Sequence, residues 1–239
     1  MLPFLIKAKD LILDIFFPPN CLQCVKYLER SDKIICDDCY SSIKLNNTSF
    51  CSVCRARLPN SRKICHRKTS YLLAAAINYD EPVIQNLLHY FKYKGFEKIA
   101  PLLGEVLIKY LEDIIRNSKL EIRNFVVVPI PLHFWRERQR GFNQAKLLAE
   151  ILARHFNLEL KEALKRTKNN KPQVKLKNNE ERLKNMAGCF RVENPDEVRG
   201  KNIILVDDFF TSGATMNEAV KTLKAAGAKR IVALTVAKA

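Results

Sequence analysis

Ile203-Ile204-Leu205-Val206-Asp207-Asp208-Phe209-Phe210-Thr211-Ser212-Gly213-Ala214-Thr215 is the stretch that decides the fold. Its four consecutive apolar residues, Ile203 to Val206, suit a central strand covered on both faces. Met216 to Ala226 has helical spacing, with Gly227 behind it as a stop. Strand, hydroxyl-rich loop and helix in that order make an anion site. The first backbone N–H groups of the helix have no partner within it, and the helix dipole favours negative charge there. Along the loop Thr211, Ser212, Gly213, Ala214, Thr215, the glycine lets the backbone approach a ligand and the three hydroxyls add donors. Asp207 and Asp208 cannot bind that phosphate themselves. Beside it they suit the hydroxyls of an attached sugar, or Mg²⁺ and its waters. The ligand implied is a sugar phosphate. A plain buried strand with a Thr-Ser turn capping its helix is the bland alternative, and the order of strand, acids, loop and helix argues against it.

This segment resembles the phosphoribosyl pyrophosphate (PRPP) signature of type I phosphoribosyltransferases. Ser212 departs from the commoner Thr but keeps the hydroxyl, and Phe209-Phe210 is bulkier than usual. The resemblance implies an α/β fold with a doubly wound, mainly parallel sheet. In that setting Asp207 and Asp208 are the catalytic pair, working with Mg²⁺ and PRPP.

The 239 residues suffice for one large domain and a small one, and 47% hydrophobic content suffices for a packed core. No apolar run approaches the roughly 20 residues that span a bilayer. Lys7, Lys9, Asp10 and Asp14 interrupt the apolar residues of Leu2 to Phe17, so no secretory signal is expected there; residues 1–19 read as an amphipathic helix. Lysine and arginine number 41 against 25 acids, a net charge of +16. Such an excess draws polyanions, nucleic acid foremost. Solubility, or attraction of a highly charged diphosphate, are the alternatives.

Seven of the eight cysteines precede residue 66. The knuckles Cys21/Cys24 and Cys36/Cys39 complete one tetrahedral zinc site. Cys51, Cys54 and Cys65 form an incomplete second set, because Lys68 stands where a fourth cysteine belongs. His66 is the nearest substitute, although neighbouring side chains diverge. Interleaved pairing of the knuckles stays open. A disulfide framework fits poorly with an odd number of clustered cysteines and no secretory signal, and a redox role lacks a thioredoxin-like context. Zinc here is structural, since four protein ligands leave no open position and residues 20–68 are too few to fold on apolar burial alone. Cys189 reads as a buried hydrophobe.

Residues 69–239 form the large domain. Tyr71 to Tyr79 reads as a strand, and Pro82 to Lys92 and Ile99 to Arg116 as helices. Lys92 and Lys94 are expected to complement a helix C-terminus ahead of Gly95, with facing the anionic ligand as the alternative. Phe125 to Val128 is a second strand, ended by Pro129-Ile130-Pro131-Leu132, and Arg140-Gly141-Phe142-Asn143-Gln144 opens a helix. If the two strands are neighbours, their loops share the ligand-binding edge of the sheet, where Pro131, Leu132, Arg140 and Gly141 receive pyrophosphate. The alternative for this basic stretch is a helix entrance with Trp135 covering the core edge. Thr167 to Lys184 is rich in Lys, Asn and Glu; it reads as a loop with a short helix behind it, suited to a lid or to plain surface.

The chain resembles the ComF (ComFC) competence proteins along essentially its whole length. The resemblance is carried by Phe17-Pro18-Pro19, the cysteine knuckles, His89 to Gly95, Pro129 to Leu132, Arg140 to Gln144, Arg166 with Gln173, Arg182 and Asn185, and Asp207 to Thr215. It implies a cytoplasmic protein, placed with the DNA-uptake machinery at the inner face of the membrane, that helps internalise single-stranded DNA alongside a ComFA-type helicase and DprA. Two functions follow. One is a phosphoribosyltransferase acting on an unnamed acceptor. The other is a module that binds PRPP while its basic surface carries DNA.

Overall fold

The computed structural model describes residues 19–29, 33–58, 65–66, 69–118, 120–170 and 178–239. Apart from Pro19, the helix expected over residues 1–19 lies outside them, as do Lys68 and Gln173.

In chain order the elements are α1 (Asp37–Ser41), β1 (Ser49–Cys51), β2 (Arg57–Leu58), β3 (Leu72–Asn78), α2 (Pro82–Tyr93), α3 (Ala100–Ser118), β4 (Phe125–Pro129), α4 (Phe134–Arg140), α5 (Gln144–Phe156), β5 (Glu159–Leu160), β6 (Leu164–Arg166), α6 (Asn179–Met186), β7 (Phe190–Val192), β8 (Asn202–Phe210), α7 (Ala214–Ala225) and β9 (Ile231–Lys238). Seven strands form one sheet in the order β2-β1-β3-β9-β8-β4-β5. The five strands from β3 to β5 are parallel, and the short β1–β2 hairpin extends the sheet antiparallel through Phe50 opposite Leu73. The cysteine segment and the large domain therefore share a sheet. A separate hairpin pairs β6 with β7.

The strand period of two explains why these sequences are apolar throughout. Ala74, Ala76, Val127, Ile204 and Leu234 face one layer, formed with buried side chains of α2, α3 and α5. Leu73, Ala75, Val128, Ile203 and Leu205 face the other, against Ala219, Val220 and Leu223 of α7. Both faces are thus covered, as a doubly wound sheet requires.

The cysteine segment packs on the first layer. Cys21, Leu28, Ile35 and Cys36 join its core, Tyr110 of α3 donates its hydroxyl to the Thr48 carbonyl at 2.9 Å, and Asn86 of α2 donates to the Leu22 carbonyl at 2.5 Å. Cys189 is fully buried, as its sequence context suggested. Trp135 does not cover the core edge; it is 60% exposed.

Candidate functional site

From β4 the chain runs outward to β5, returns to β8 on the other side of β4, and continues away to β9. The order reverses between β4 and β8. Outside the carboxyl ends of strands at such a point, loops diverge and leave a crevice. Here the crevice holds about 880 Å³. β4 and β8 pair with Pro129 opposite Val206, so both sequence-flagged loops leave from the same edge.

The acids enter from inside β8, which runs on through Phe210 rather than ending at Val206. Asp208 is 6% exposed, and its backbone N–H donates to the Asp207 carboxylate at 2.9 Å. Burial above all, and the Asp208 charge next, push the Asp207 carboxyl up to about 7. The relieving cation is Lys92, whose Nζ lies 3.0 Å from Asp208 Oδ1 and 5.0 Å from the centre of the Phe209 ring. Lys92 stands in the last turn of its helix, the place favoured for it, and also lines the crevice, the alternative. Position in sequence cannot show that α2 ends over the β8 acids, and the ion pair with Asp208 adds that partner.

A pH dependence follows. The unfolded Asp207 releases its proton near the ordinary 3.8 and the folded one near 7. Between those values the folded state binds more protons, so this group's contribution to stability is full below about 4 and is lost as pH rises through about 7. Asp207→Asn has no charge to bury. Its melting temperature, minus that of the ligand-free wild type, is expected to rise by a few degrees between pH 5.5 and 7.5. An equal difference at both pH values contradicts the assignment.

Arg140-Gly141-Phe142-Asn143-Gln144 is a junction of three elements. Gly141, at φ 89°, ends α4 in the left-handed region that favours glycine. Asn143 caps α5 by accepting from the Ala145 N–H at 3.0 Å, and its amide donates to the Ile130 carbonyl at 3.1 Å, fixing the loop after β4. Gln144 donates to the Phe91 carbonyl in the last turn of α2 at 3.0 Å, while its side-chain oxygen accepts from Arg140 at 3.1 Å. Phe142 packs on Phe91, ring centres 5.4 Å apart. Four residues thus hold Lys92, the β4 loop and Arg140 in register.

Of the residues expected to receive pyrophosphate, Leu132 and Arg140 line the crevice; Pro131 and Gly141 shape the chain around it. Arg136, from the same basic stretch as Arg140, also lines it, as does Arg166, which the family resemblance named without giving it a role. Arg166 comes from the β6–β7 hairpin, whose three-residue strands leave too short a pattern to read. Its Nε is buried with no hydrogen-bond partner among the described residues. Burial lowers its affinity for a proton first, and the neighbouring Arg136 and Arg140 lower it further. Guanidinium groups crowded in this way stay charged and call for an anion.

The loop Thr211, Ser212, Gly213, Ala214, Thr215 turns β8 into α7, and Thr211 and Thr215 line the crevice. The Ala214 N–H donates to the Ser212 hydroxyl at 3.4 Å. Gly213 has φ 79°, and a Cβ there would lie 2.8 Å from Phe210 Cζ. Gly213→Ala is therefore expected to lower stability by about 1–3 kcal/mol and to distort the loop. A thermal melt unchanged within 1 °C would contradict this.

Two four-residue groups offer metal sites: Cys21, Cys24, Cys36 and Cys39, and Cys51, Cys54, Cys65 and His66. In each, all ligand atoms lie within 4.8 Å of one another. The Cys24–Cys36 and Cys54–Cys65 sulfur distances are both 3.6 Å, and Cys51 Sγ is 3.4 Å from His66 Nδ1. Tetrahedral zinc with sulfur at about 2.3 Å sets its ligands about 3.8 Å apart, whereas a disulfide needs about 2.05 Å. The donor sets fit zinc. His66 lies with Cys51, Cys54 and Cys65 despite following Cys65 directly, and each group is drawn from neighbouring knuckles of the chain. The Cys21/Cys24 and Cys51/Cys54 knuckles repeat one turn, with Val25 N–H to Cys21 C=O and Arg55 N–H to Cys51 C=O both at 2.9 Å.

Comparison with known proteins agrees with this layout. Residues 12–69 match a double zinc ribbon domain and residues 141–239 a phosphoribosyl transferase domain. Competence protein F of Haemophilus influenzae is 28% identical over 90% of this chain and 95% of its own. Competence protein ComFC of Bacillus subtilis is 29% identical over 91% and 89%, and DNA utilization protein YhgH of Escherichia coli is 28% identical over 90% and 94%. Both domain matches occur here in one chain, which is similar nearly end to end to the competence proteins F and ComFC and to YhgH.

Proposed function

We propose that the crevice binds PRPP with its 5-phosphate on the Thr211 to Thr215 loop, and that the zinc-bearing chain supports internalisation of single-stranded DNA during natural transformation. The observation that carries the PRPP reading is the distribution of charge within one crevice. Asp207 and Asp208 stand on its floor where ribose hydroxyls need acceptors. Arg136, Arg140 and Arg166 stand on its walls where a diphosphate needs cations, and a helix N-terminus faces the remaining phosphate. The crowded Asp207–Asp208 pair also suits Mg²⁺, which would neutralise the diphosphate when bound with it. Lys92 pairs with Asp208 and holds that carboxylate at the crevice.

The DNA role is supported by the competence and DNA-utilisation relatives and by the +16 charge. A cytoplasmic setting, with a ComFA-type helicase and DprA as partners, belongs to the same proposal. Among the described residues no helix is long and apolar enough to cross a membrane.

The second reading is an active phosphoribosyltransferase of nucleotide metabolism. Three arginines around one crevice favour it, because electrostatic stabilisation of departing diphosphate accelerates attack at the ribose C1. Calorimetry with PRPP and Mg²⁺ tests binding; a panel of bases, amines and nucleic acids, assayed for pyrophosphate release, tests turnover. Binding without release from any acceptor supports the first reading, and acceptor-dependent release supports the second. No heat of binding removes both.

A further inference from the structure

A second crevice, of about 600 Å³, lies beside the first on the carboxyl edge of the sheet, over the ends of β3 and β9 and against the zinc ribbon. Arg55 of the second zinc knuckle, Arg57 of β2 and Lys238 of β9 line it together with Tyr79. None of these three cations is in an ion pair among the described residues. Asp80 and the Ala239 terminus border the crevice, yet no carboxylate among the described residues comes within ion-pair distance of them.

The cations are positioned by rings. Arg55 lies 5.6 Å from the centre of Phe210, and Lys238 lies 4.5 Å from the centre of Phe50. Burial first, then Arg57 and Arg55, hold the Lys238 ammonium below its ordinary value, with Asp80 opposing them. Tyr79 lines both crevices and packs on Phe209 of the first at 4.4 Å, so aromatic rings stand where the two crevices adjoin.

We propose that Arg55, Arg57 and Lys238 form a second anion site, which takes backbone phosphates of single-stranded nucleic acid at the junction of ribbon and sheet. The inference rests on the DNA-handling reading above and supplies its place on the surface. Two observations select a nucleic acid strand over a small anion. Cations recur along one edge, in the second crevice and then in the first. Aromatic rings stand between the two groups, the pattern by which single strands are held through backbone and base faces together.

The test uses the zinc-loaded full chain and a fluorescent oligothymidylate, read by anisotropy across a salt titration. The variant is Arg55→Gly/Arg57→Gln/Lys238→Gln; glycine suits the φ of 61° at position 55, so the knuckle keeps its turn. Each lost phosphate contact removes about 0.7 from the slope of log affinity against log salt, so a drop of about 2 is expected, with affinity at low salt falling about tenfold. Zinc content and PRPP affinity are expected to stay within twofold. Unchanged slope and affinity overturn the site. Loss of PRPP affinity also overturns it, because the cations then belong to the first crevice. A variant that loses binding of inorganic pyrophosphate but keeps the oligonucleotide overturns the assignment to nucleic acid. Wild type that binds no oligothymidylate even at low salt refutes the DNA-handling reading itself; wild type that binds while the variant binds equally refutes only this placement.

Discussion

Replacing Cys36 with serine is expected to release one zinc ion per chain and to lower the melting temperature by more than about 10 °C. Three roles of this side chain add up. It supplies a ligand to the first four-cysteine group, its sulfur accepts from the Cys39 N–H to cap α1, and it is 7% exposed within the core shared with α2 and α3. Structural zinc contributes about 10–16 kcal/mol in isolated fingers. About half of that, at about 2–4 °C per kcal/mol for a chain of this size, already gives the shift. The loss cannot stay local, because Asn86 and Tyr110 tie this segment to the helices that cover the sheet. Metal analysis and calorimetry check the result, with Cys189→Ser as the control: equally buried, outside both metal groups, and expected to keep all its zinc. A Cys36→Ser protein that retains two zinc ions contradicts the ligand assignment.

What could be read from the sequence, and what could not, divides along contact range. β8 and α7 were legible because an apolar strand, a glycine and a helical period are local patterns. The first zinc group was legible because a C-x-x-C knuckle closes on itself. Local rules misjudged His66, whose adjacency to Cys65 argues against a shared metal until the chain is seen to turn there. They also favoured its own helix end for Lys92, when its partner lies 116 positions further on in Asp208. The β6–β7 hairpin, and with it the place of Arg166 in the crevice, escaped for the same reason: strands of three residues carry no periodicity, and their role appears only where the sheet order reverses. The β1–β2 hairpin looked like part of an independent ribbon, since nothing in residues 49–58 announces that Phe50 pairs with Leu73.

The double variant Asp207→Asn/Asp208→Asn is expected to weaken PRPP binding by at least about 100-fold while leaving the fold intact. Asparagine keeps the side-chain oxygen that accepts the Asp208 backbone N–H, so β8 keeps its local hydrogen bond. The ion pair from Lys92 to Asp208 is lost, but so is the repulsion between two buried acids, and the two effects oppose each other in stability. Binding has no such compensation. Charge-assisted acceptance of ribose hydroxyls and the anionic oxygens that would hold Mg²⁺ both disappear, and removing one partner of a desolvated charged contact costs about 2–5 kcal/mol. Even 2.7 kcal/mol corresponds to about 100-fold. Calorimetry with PRPP and Mg²⁺ measures the change, and a melting curve of the same samples separates a binding defect from unfolding. Binding within threefold of wild type in a folded double variant would mean that the acids serve the packing of Lys92 alone, and that the sugar phosphate sits elsewhere on the sheet edge.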